Sequence, residues 1–346
     1  IYLKTIPPAE AVARVKASID REALIREETI PSHEASGRVL AHAVHARYSS
    51  PTFHSAAMDG YAVNARSTFA AREGHPLTLK AGETCFAVNT GHPMPEGCDA
   101  VIMIEQVVLD GGSVTIEAPA FPWQHVRRIG EDIVATELLF PRNHQLRPWD
   151  VGALLSGGIW DVPVWERVTV RIIPTGDEVL DFTTHPDPGK GQVVESNSQM
   201  LAALARELGC VVERAAPVPD NPEALHQALK DSLDAGRHLT IFCAGSSAGS
   251  KDFTRATLEK EGEILTHGIA AMPGKPSLLA NCRGRLVAGA PGYPVSALVC
   301  FKELLEPLIS WLSHREPPAK TVVPVELTRT VPSRPGVEEH VRVRSE

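Results

Sequence analysis

The sequence predicts a multidomain α/β and β protein. Its parts are a three-layer α/β domain with a mostly parallel sheet, an inserted small β domain, a discontinuous N-terminal helical or mixed domain, and part of a C-terminal β domain. Three observations predict this. From Val168 to Leu298, apolar runs alternate with helical patterns and end in turns of small or charged residues, as strands feeding crossover helices do. From Pro51 to Arg142, short strand-length runs are separated by Gly, Pro and Asp, the spacing of a small barrel or sandwich. The 346 residues also exceed the usual size of one domain about twofold. The expected boundaries are 1–50 with 143–167, then 51–142, 168–315 and 316–346.

Taken in order, Pro7–Leu24 reads as a helix, with Ala11, Val12, Val15 and Ile19 at helical spacing and Pro8 in the first turn. A second helix is expected over Ser32–Leu40 with Ser32 as its cap, and a strand within Ala41–Ser50. The β insertion supplies runs at Leu77–Ala81, Cys85–Val88, Ala100–Ile104, Val107–Leu109 and Ser113–Glu117. From Asn143 to Val164 the pattern is helical again, opened by Pro148-Trp149-Asp150, ended by Gly157-Gly158 and expected to pair with the first helices. Val322–Leu327 and His340–Val343 read as strands of the final domain, and two strands cannot close a sheet core.

Composition narrows the function classes. A formal net charge of -8 argues against a nucleic-acid partner, since phosphate binding draws on basic surface. An anionic small ligand stays compatible, because local N–H groups and single lysines outweigh net charge at short range. The six cysteines stand alone without a C-x-x-C pair, so buried free thiols in a reducing compartment are expected. No apolar run reaches bilayer length and the start lacks a signal peptide's apolar core, so a cytoplasmic protein without membrane contact is expected. The chain begins without a methionine, which is compatible with a start further upstream.

The turns after the strands of the α/β segment carry the chemistry. In an open parallel sheet they gather at one edge, where ligands bind at the topological switch point. Thr175-Gly176-Asp177-Glu178 sets two carboxylates after a strand, where they either hold Mg²⁺ through oxygen or cap a turn. Glu195-Ser196-Asn197-Ser198 precedes the helix Gln199–Leu208, with Asn197 or Ser198 as simple caps. Asp220-Asn221-Pro222 reads as a cap with Pro at the first helical position, or as a carboxylate facing the cleft. Gly245-Ser246-Ser247-Ala248-Gly249 presents N–H groups suited to phosphate although it is no Walker A motif, and Asp252 behind it reads first as a helix cap. Lys275 is held between Gly274 and Pro276, so it loses little entropy on meeting an anion, and Ser296 lies just inside the last helix. In the β insertion Asp59, Glu105 and Asp132 read by composition as turn or solvated surface residues. Asp59 is the exception in its setting, since it sits between apolar neighbours and calls for a partner. The histidines show no metal-ligand spacing and no Ser-His-Asp constellation.

Together these turns resemble the molybdopterin molybdenumtransferase family, MoeA-like proteins that include the E domain of gephyrin, in a divergent branch. The residues that carry the resemblance are Ala57-Met58-Asp59-Gly60-Tyr61-Ala62-Val63, Thr90-Gly91 with Pro93, Pro95-Glu96-Gly97, Glu105-Gln106, Gly130-Glu131-Asp132, Thr175-Gly176-Asp177-Glu178, Pro273-Gly274-Lys275-Pro276, and Pro291-Gly292 with Pro294-Val295-Ser296-Ala297. The resemblance implies Mg²⁺-dependent insertion of molybdate into adenylylated molybdopterin with release of AMP, in a homodimer whose cleft lies between the α/β domain of one subunit and the β insertion of the other. It implies catalytic roles for Asp59, Glu105, Asp132, Lys275 and Ser296, and metal binding by Asp177, Glu178 and Asp252. It implies substrate contacts from Thr90, Gly91, Thr175, Gly176, Ser196, Asn197, Asp220, Gly245, Ser246, Ser247, Pro273, Gly274, Pro291 and Gly292. An upstream molybdopterin adenylyltransferase and downstream molybdoenzymes are the protein partners it implies.

The departures from the family pattern fall on anion and pterin contacts. The Gly245–Gly249 turn has one glycine fewer than usual, Tyr293 stands where Asn is frequent, Met272 replaces a polar or basic residue, and His54-Ser55-Ala56 replaces Asp-Asn-Ser. They leave tungstate open as the inserted oxyanion, and a non-catalytic sensor or scaffold open as the alternative function. A molybdopterin adenylyltransferase on the same α/β fold is disfavoured by the long N-terminal region with Met58-Asp59-Gly60.

Overall fold

The computed structural model describes residues 4–243 and 253–344. Contacts divide the chain into two compact units: Ile1–Glu28, Gly37–Ala41 and Pro163–Glu346 form the first, and Thr29–Ser36 with His42–Val162 the second.

The first unit is built on a six-stranded sheet, with β1 Thr169–Pro174, β2 Val211–Arg214, β3 Leu239–Cys243, β4 Gly262–His267, β5 Leu278–Cys282 and β6 Arg285–Ala290. The spatial order is β2-β1-β3-β6-β5-β4. β2, β1, β3 and β6 run parallel, while β5 is antiparallel to β6 and β4 antiparallel to β5. Alternation along the strands fills two faces. Val170, Ile172, Ile241, Leu279, Leu286 and Ala288 share one core with Ala11, Val15, Leu201, Ala205, Phe301, Leu304 and Leu308. Ile173, Phe242, Leu278, Ala280 and Val287 share the other with Leu225, Leu229 and Leu258. The sheet is therefore covered by helices on both faces, as mostly parallel strands require.

Several boundaries differ from the sequence reading. The expected Pro7–Leu24 helix is Pro8–Ser18 followed by Arg21–Leu24, because Asp20 accepts the N–H groups of Glu22 and Ala23 and starts a new turn. Between the Gly-Lys and Pro-Gly turns lies the β5–β6 hairpin, turned at Arg283 and Gly284 in the left-handed region. A short excursion between β1 and the next helix, in which Val179–Leu180 pairs in parallel with Val193–Val194, was not apparent in the sequence. Val322–Leu327 is not a strand; it is exposed coil without a ladder partner. Strand structure in the C-terminal segment is limited, among the described residues, to Glu338–Glu339.

The second unit contains two three-stranded antiparallel sheets. Gly60–Val63 lies between Cys85–Val88 and Ala100–Met103, and Ser113–Ile116 between Leu77–Lys80 and Val108–Asp110. Val63, Cys85, Ile102, Leu79, Val114 and Ile116 bury their side chains in one core. The helix expected over Ser32–Leu40 is one turn, Ser32–Glu34, because the chain turns left-handed at Gly37. Helix Pro148–Ser156 lies against that turn, while Pro8–Ser18 packs on Leu304 and its neighbours in the first unit. The strand expected in Ala41–Ser50 is the pair Val44–His45, and Asp161–Trp165 is a strand where a helical pattern was read.

Candidate functional site

In the first unit the carboxyl ends of β1, β2, β3 and β6 meet one edge of the sheet. The Pro273–Ser277 turn reaches the same edge because β5 is antiparallel, so its first residue, Leu278, pairs with Gly289 near the end of β6. The chain steps from β1 to β2 on one side and returns to β3 on the other, which makes the β1–β3 boundary the switch point.

Each turn at this edge is held by specific bonds. Buried Thr175 donates its N–H to the Cys243 carbonyl at 2.9 Å and its hydroxyl to the same oxygen at 3.2 Å. Gly176 is required: at φ +136° an added Cβ would sit 2.8 Å from Val179 Cγ2 and 2.9 Å from Glu178 Oε2. Asp177 and Glu178 are exposed, and Asp177 Oδ1 accepts the N–H of Asp220 at 3.1 Å, which joins the turns after β1 and β2. Asp220 is not the helix cap; Asn221 accepts the Ala224 N–H at 2.8 Å, with Pro222 opening the helix. The helix expected over Gln199–Leu208 spans Asn197–Glu207, and neither Asn197 nor Ser198 caps it. Buried Glu195 does so, accepting the Ser198 N–H at 2.7 Å. Ser196 is exposed and makes no capping bond. Asn197 Nδ2 instead donates to the Gly292 carbonyl at 2.7 Å, tying the start of this helix to the turn after β6.

On the far side, Lys275 is exposed in its turn, and a Cβ on Gly274 would meet Val299 Cγ1 at 3.3 Å and the Ser296 carbonyl at 3.6 Å. The φ of +113° favours glycine here, and a side chain would press on the helix that opens at Pro294. Pro273 and Ser296 are half-buried and Pro291 is buried. Three strand spacings, roughly 14 Å, separate the end of β1, which the Asp177-Glu178 turn leaves, from the start of β5, which the lysine turn enters. One edge thus has an acidic pole and a basic pole. Gly245, Ser246, Ser247 and Asp252 lie outside the described residues.

In the second unit Asp59 is exposed, not enclosed by its apolar neighbours, and the partner its setting called for is Thr90. Thr90 donates its N–H at 2.7 Å and its hydroxyl at 3.0 Å to the same carboxylate oxygen. These two bonds, the N–H first, hold the Asp59 carboxyl below its ordinary value of 3.8, assisted by His92. Gly91 donates to the Ala56 carbonyl at 2.8 Å. Gly60 follows Asp59 in a strand so tight that an added Cβ would lie 2.0 Å from the Ile102 carbonyl. Glu105 is exposed in the one-turn helix Ile104–Gln106, which receives Asp59 through the Ile104 N–H at 3.0 Å. Asp132 sits on a separate turn and accepts from Arg127 at 3.2 and 3.3 Å.

Arg214 was missed by the sequence reading. It bonds Ser198 at 2.9 Å and Asp181 at 3.0 Å, pairs with Glu195 at 3.4 Å and stacks over Phe182. This mostly buried network anchors the excursion between Asp181 and Glu195 to the end of β2, beneath Asn197. An arginine closing the short strand Val211–Arg214 was its faint signal. Among the cysteines, Cys85, Cys210, Cys243, Cys282 and Cys300 are buried and Cys98 is half-buried. Burial pushes Cys210 and Cys282 up to about 12 and Cys300 to about 11. No helix among the described residues is long and apolar enough to cross a membrane.

Two family models match this chain. The MoeA N-terminal region (domain I and II) matches residues 6–158, and the probable molybdopterin binding domain matches residues 171–311. The chain is 34% identical over 309 residues to the molybdopterin molybdenumtransferase of Haemophilus influenzae, covering 84% of this chain and 74% of that protein. It belongs to the molybdopterin molybdenumtransferase family. The molybdopterin molybdenumtransferase of Synechococcus elongatus is a further family member, 32% identical over 82% of this chain and 74% of its own length. The fold agrees with that of a solved family structure, the molybdopterin biosynthesis moea protein from Pyrococcus horikosii, at a TM-score of 0.77 and 29% identity over 90% of this chain and 81% of that one.

Proposed function

We propose that this family member is a transferase of molybdenum cofactor biosynthesis that inserts molybdate into adenylylated molybdopterin and releases AMP. The observation that carries this reading is the two-pole sheet edge: the Asp177–Asp220 contact at one pole, the Lys275 turn packed on the Ser296 helix at the other, and the Asn197–Gly292 bond. A dinucleotide-like anion with a separate oxyanion suits that span of roughly 14 Å.

Lys275 and Ser296 bind the oxyanion or a phosphate oxygen as fixed donors, stabilising charge that develops during transfer. Ser196, Asn197, Asp220, Pro273 and Gly292 line the edge and orient the substrate, while buried Thr175, Gly176, Gly274 and Pro291 shape the turns that present them. Asp59, Glu105 and Asp132 act as substrate-facing carboxylates, with Thr90 and Gly91 supporting Asp59. No side chain needs to serve as a nucleophile.

Asp177 and Glu178 would hold Mg²⁺. Among the described residues no group of three or more His, Cys, Asp or Glu could cage a metal. Two exposed adjacent carboxylates still fit this ion, which binds through one or two carboxylates together with substrate phosphates. When bound, Mg²⁺ neutralises phosphate charge and makes AMP a better leaving group. The assembly we propose is a homodimer, supported by large exposed side chains such as Phe69, Phe121, Trp149 and Trp160 on the second unit.

The test is AMP release from adenylylated molybdopterin with Mg²⁺, comparing molybdate, tungstate and no oxyanion, for the native chain, Asp59→Ala and Lys275→Ala. Oxyanion-dependent release that both substitutions severely reduce supports the reading and identifies the metal. Tight nucleotide binding without release refutes it in favour of a sensor or scaffold.

A further inference from the structure

Within the Lys275 turn, Ser277 donates its N–H at 3.1 Å and its hydroxyl at 2.7 Å to the Gly274 carbonyl, while Pro273 and Pro276 offer no N–H groups. The direction in which this turn leaves the sheet is tied to the Gly268–Met272 arm that leads into it. Ile269 donates to the Lys275 carbonyl at 2.9 Å and Gly268 to the Ser277 carbonyl at 2.9 Å, which closes the loop. Two remote segments grip this arm. Near the N-terminus, Ile6 accepts the Ala270 N–H at 2.8 Å. From the other end of the chain, Glu338 donates to the Ala270 carbonyl at 2.8 Å and His340 to the Met272 carbonyl at 2.7 Å. Ala271 pairs with Glu338 and Met272 with Glu339 in a parallel ladder. The His340 bond is the informative one, because the Met272 carbonyl belongs to the peptide unit that carries Pro273. Fixing that plane fixes the direction in which the turn leaves.

We propose that Glu338–His340 is a positioning strap for Lys275, holding the Pro-Gly-Lys-Pro turn so that the ammonium meets the oxyanion at a set place. This rests on the reading of Lys275 as an anion-binding group. The strap acts through its backbone: Glu338 and His340 are exposed, and residues 316–330 that lead toward it are exposed coil.

The experiment uses the full chain and the AMP-release assay. His340→Pro deletes the donor to Met272, and His340→Ala keeps it. His340→Pro is expected to raise KM for molybdate about two- to twelve-fold, the range one hydrogen bond carries, with kcat little changed. His340→Ala should match the native chain. Lys275→Ala should raise KM further, and the double variant should be no worse than Lys275→Ala alone, as expected for residues acting as one unit. An unchanged KM for His340→Pro, equal damage from His340→Ala, or additive effects in the double variant overturns the strap. A Lys275→Ala protein with native KM overturns the site reading itself and the strap with it. Should His340→Pro fail to fold, Glu338→Pro and hydrogen exchange on the native chain stand in its place, where an unprotected His340 amide refutes the proposal.

Discussion

Asn197 allows two opposing electrostatic effects to be weighed on one side chain. Its amide donates to the Gly292 carbonyl at 2.7 Å, and its Oδ1 is buried without a hydrogen-bond partner among the described residues. In Asn197→Ala the hydrogen bond is lost, but Gly292 is exposed and water can satisfy its carbonyl, so the net loss is about 1 kcal/mol. For a unit of this size that lowers Tm by roughly 2–4 °C. Asn197→Asp adds a charge at the first position of the Asn197–Glu207 helix, where the dipole contributes about 0.3–1 kcal/mol in its favour. Against this, a carboxylate oxygen would occupy the enclosed Oδ1 site and face the Gly292 carbonyl, and leaving a charged group unpaired and desolvated costs about 3 kcal/mol or more. Desolvation therefore wins. Thermal unfolding should rank the proteins native, then Asn197→Ala, then Asn197→Asp, and both variants should raise KM in the AMP-release assay. An Asn197→Asp protein as stable as Asn197→Ala would refute the reasoning, because the dipole would then have outweighed burial.

Gly60→Ala drives a Cβ to 2.0 Å from the Ile102 carbonyl, so the Gly60–Val63 strand must part from its neighbour; a loss of about 3 kcal/mol or more is expected, and a native unfolding profile would contradict it. Asp59 has a folded-state pKa below 3.8, so the stability its bonds to Thr90 contribute is present above about pH 3.8 and lost as pH falls through the lower folded value. Thr90→Val keeps the backbone donor and should raise the Asp59 pKa only part of the way back; an NMR titration returning it fully to 3.8 would show that the hydroxyl alone sets it. Buried thiols shifted upward should resist a disulfide reagent, so the native chain should react at Cys98 at most and the denatured chain at all six cysteines; two or more fast native sites would refute the burial.

Much of the α/β edge was legible because each turn has a local cause. A strand-length apolar run followed by Thr-Gly-Asp-Glu or Pro-Gly marks a chain leaving a sheet, and Asn221 before Pro222 marks a helix start. The failures have equally local causes. Ser32–Leu40 has helical periodicity, but Gly37 turns left-handed and stops it after one turn. Glu195 caps its helix from a buried position beside Arg214, and a sequence offers no means of preferring it to the conventional cap residues Asn197 and Ser198. Arg214 gave almost no signal, since its partners Asp181, Glu195 and Ser198 converge only once the excursion after β1 is folded back.

The amino-acid order alone determined which segments could be strands, where their chemistry-bearing turns fell and which family the motifs resembled, because periodicity, turn residues and motif spacing are properties of neighbouring residues. Only the tertiary structure decided who meets whom. Asp59 meets Thr90 across the gap of 31 residues, Asn197 meets Gly292 across 95, and Lys275 reaches the edge that carries Asp177 because β5 runs against β6. Such pairings follow from which strands lie side by side, in which direction, and which turns that brings to the same edge. Those choices are made by burying two faces of one sheet at once, a condition on the whole chain that no local stretch contains.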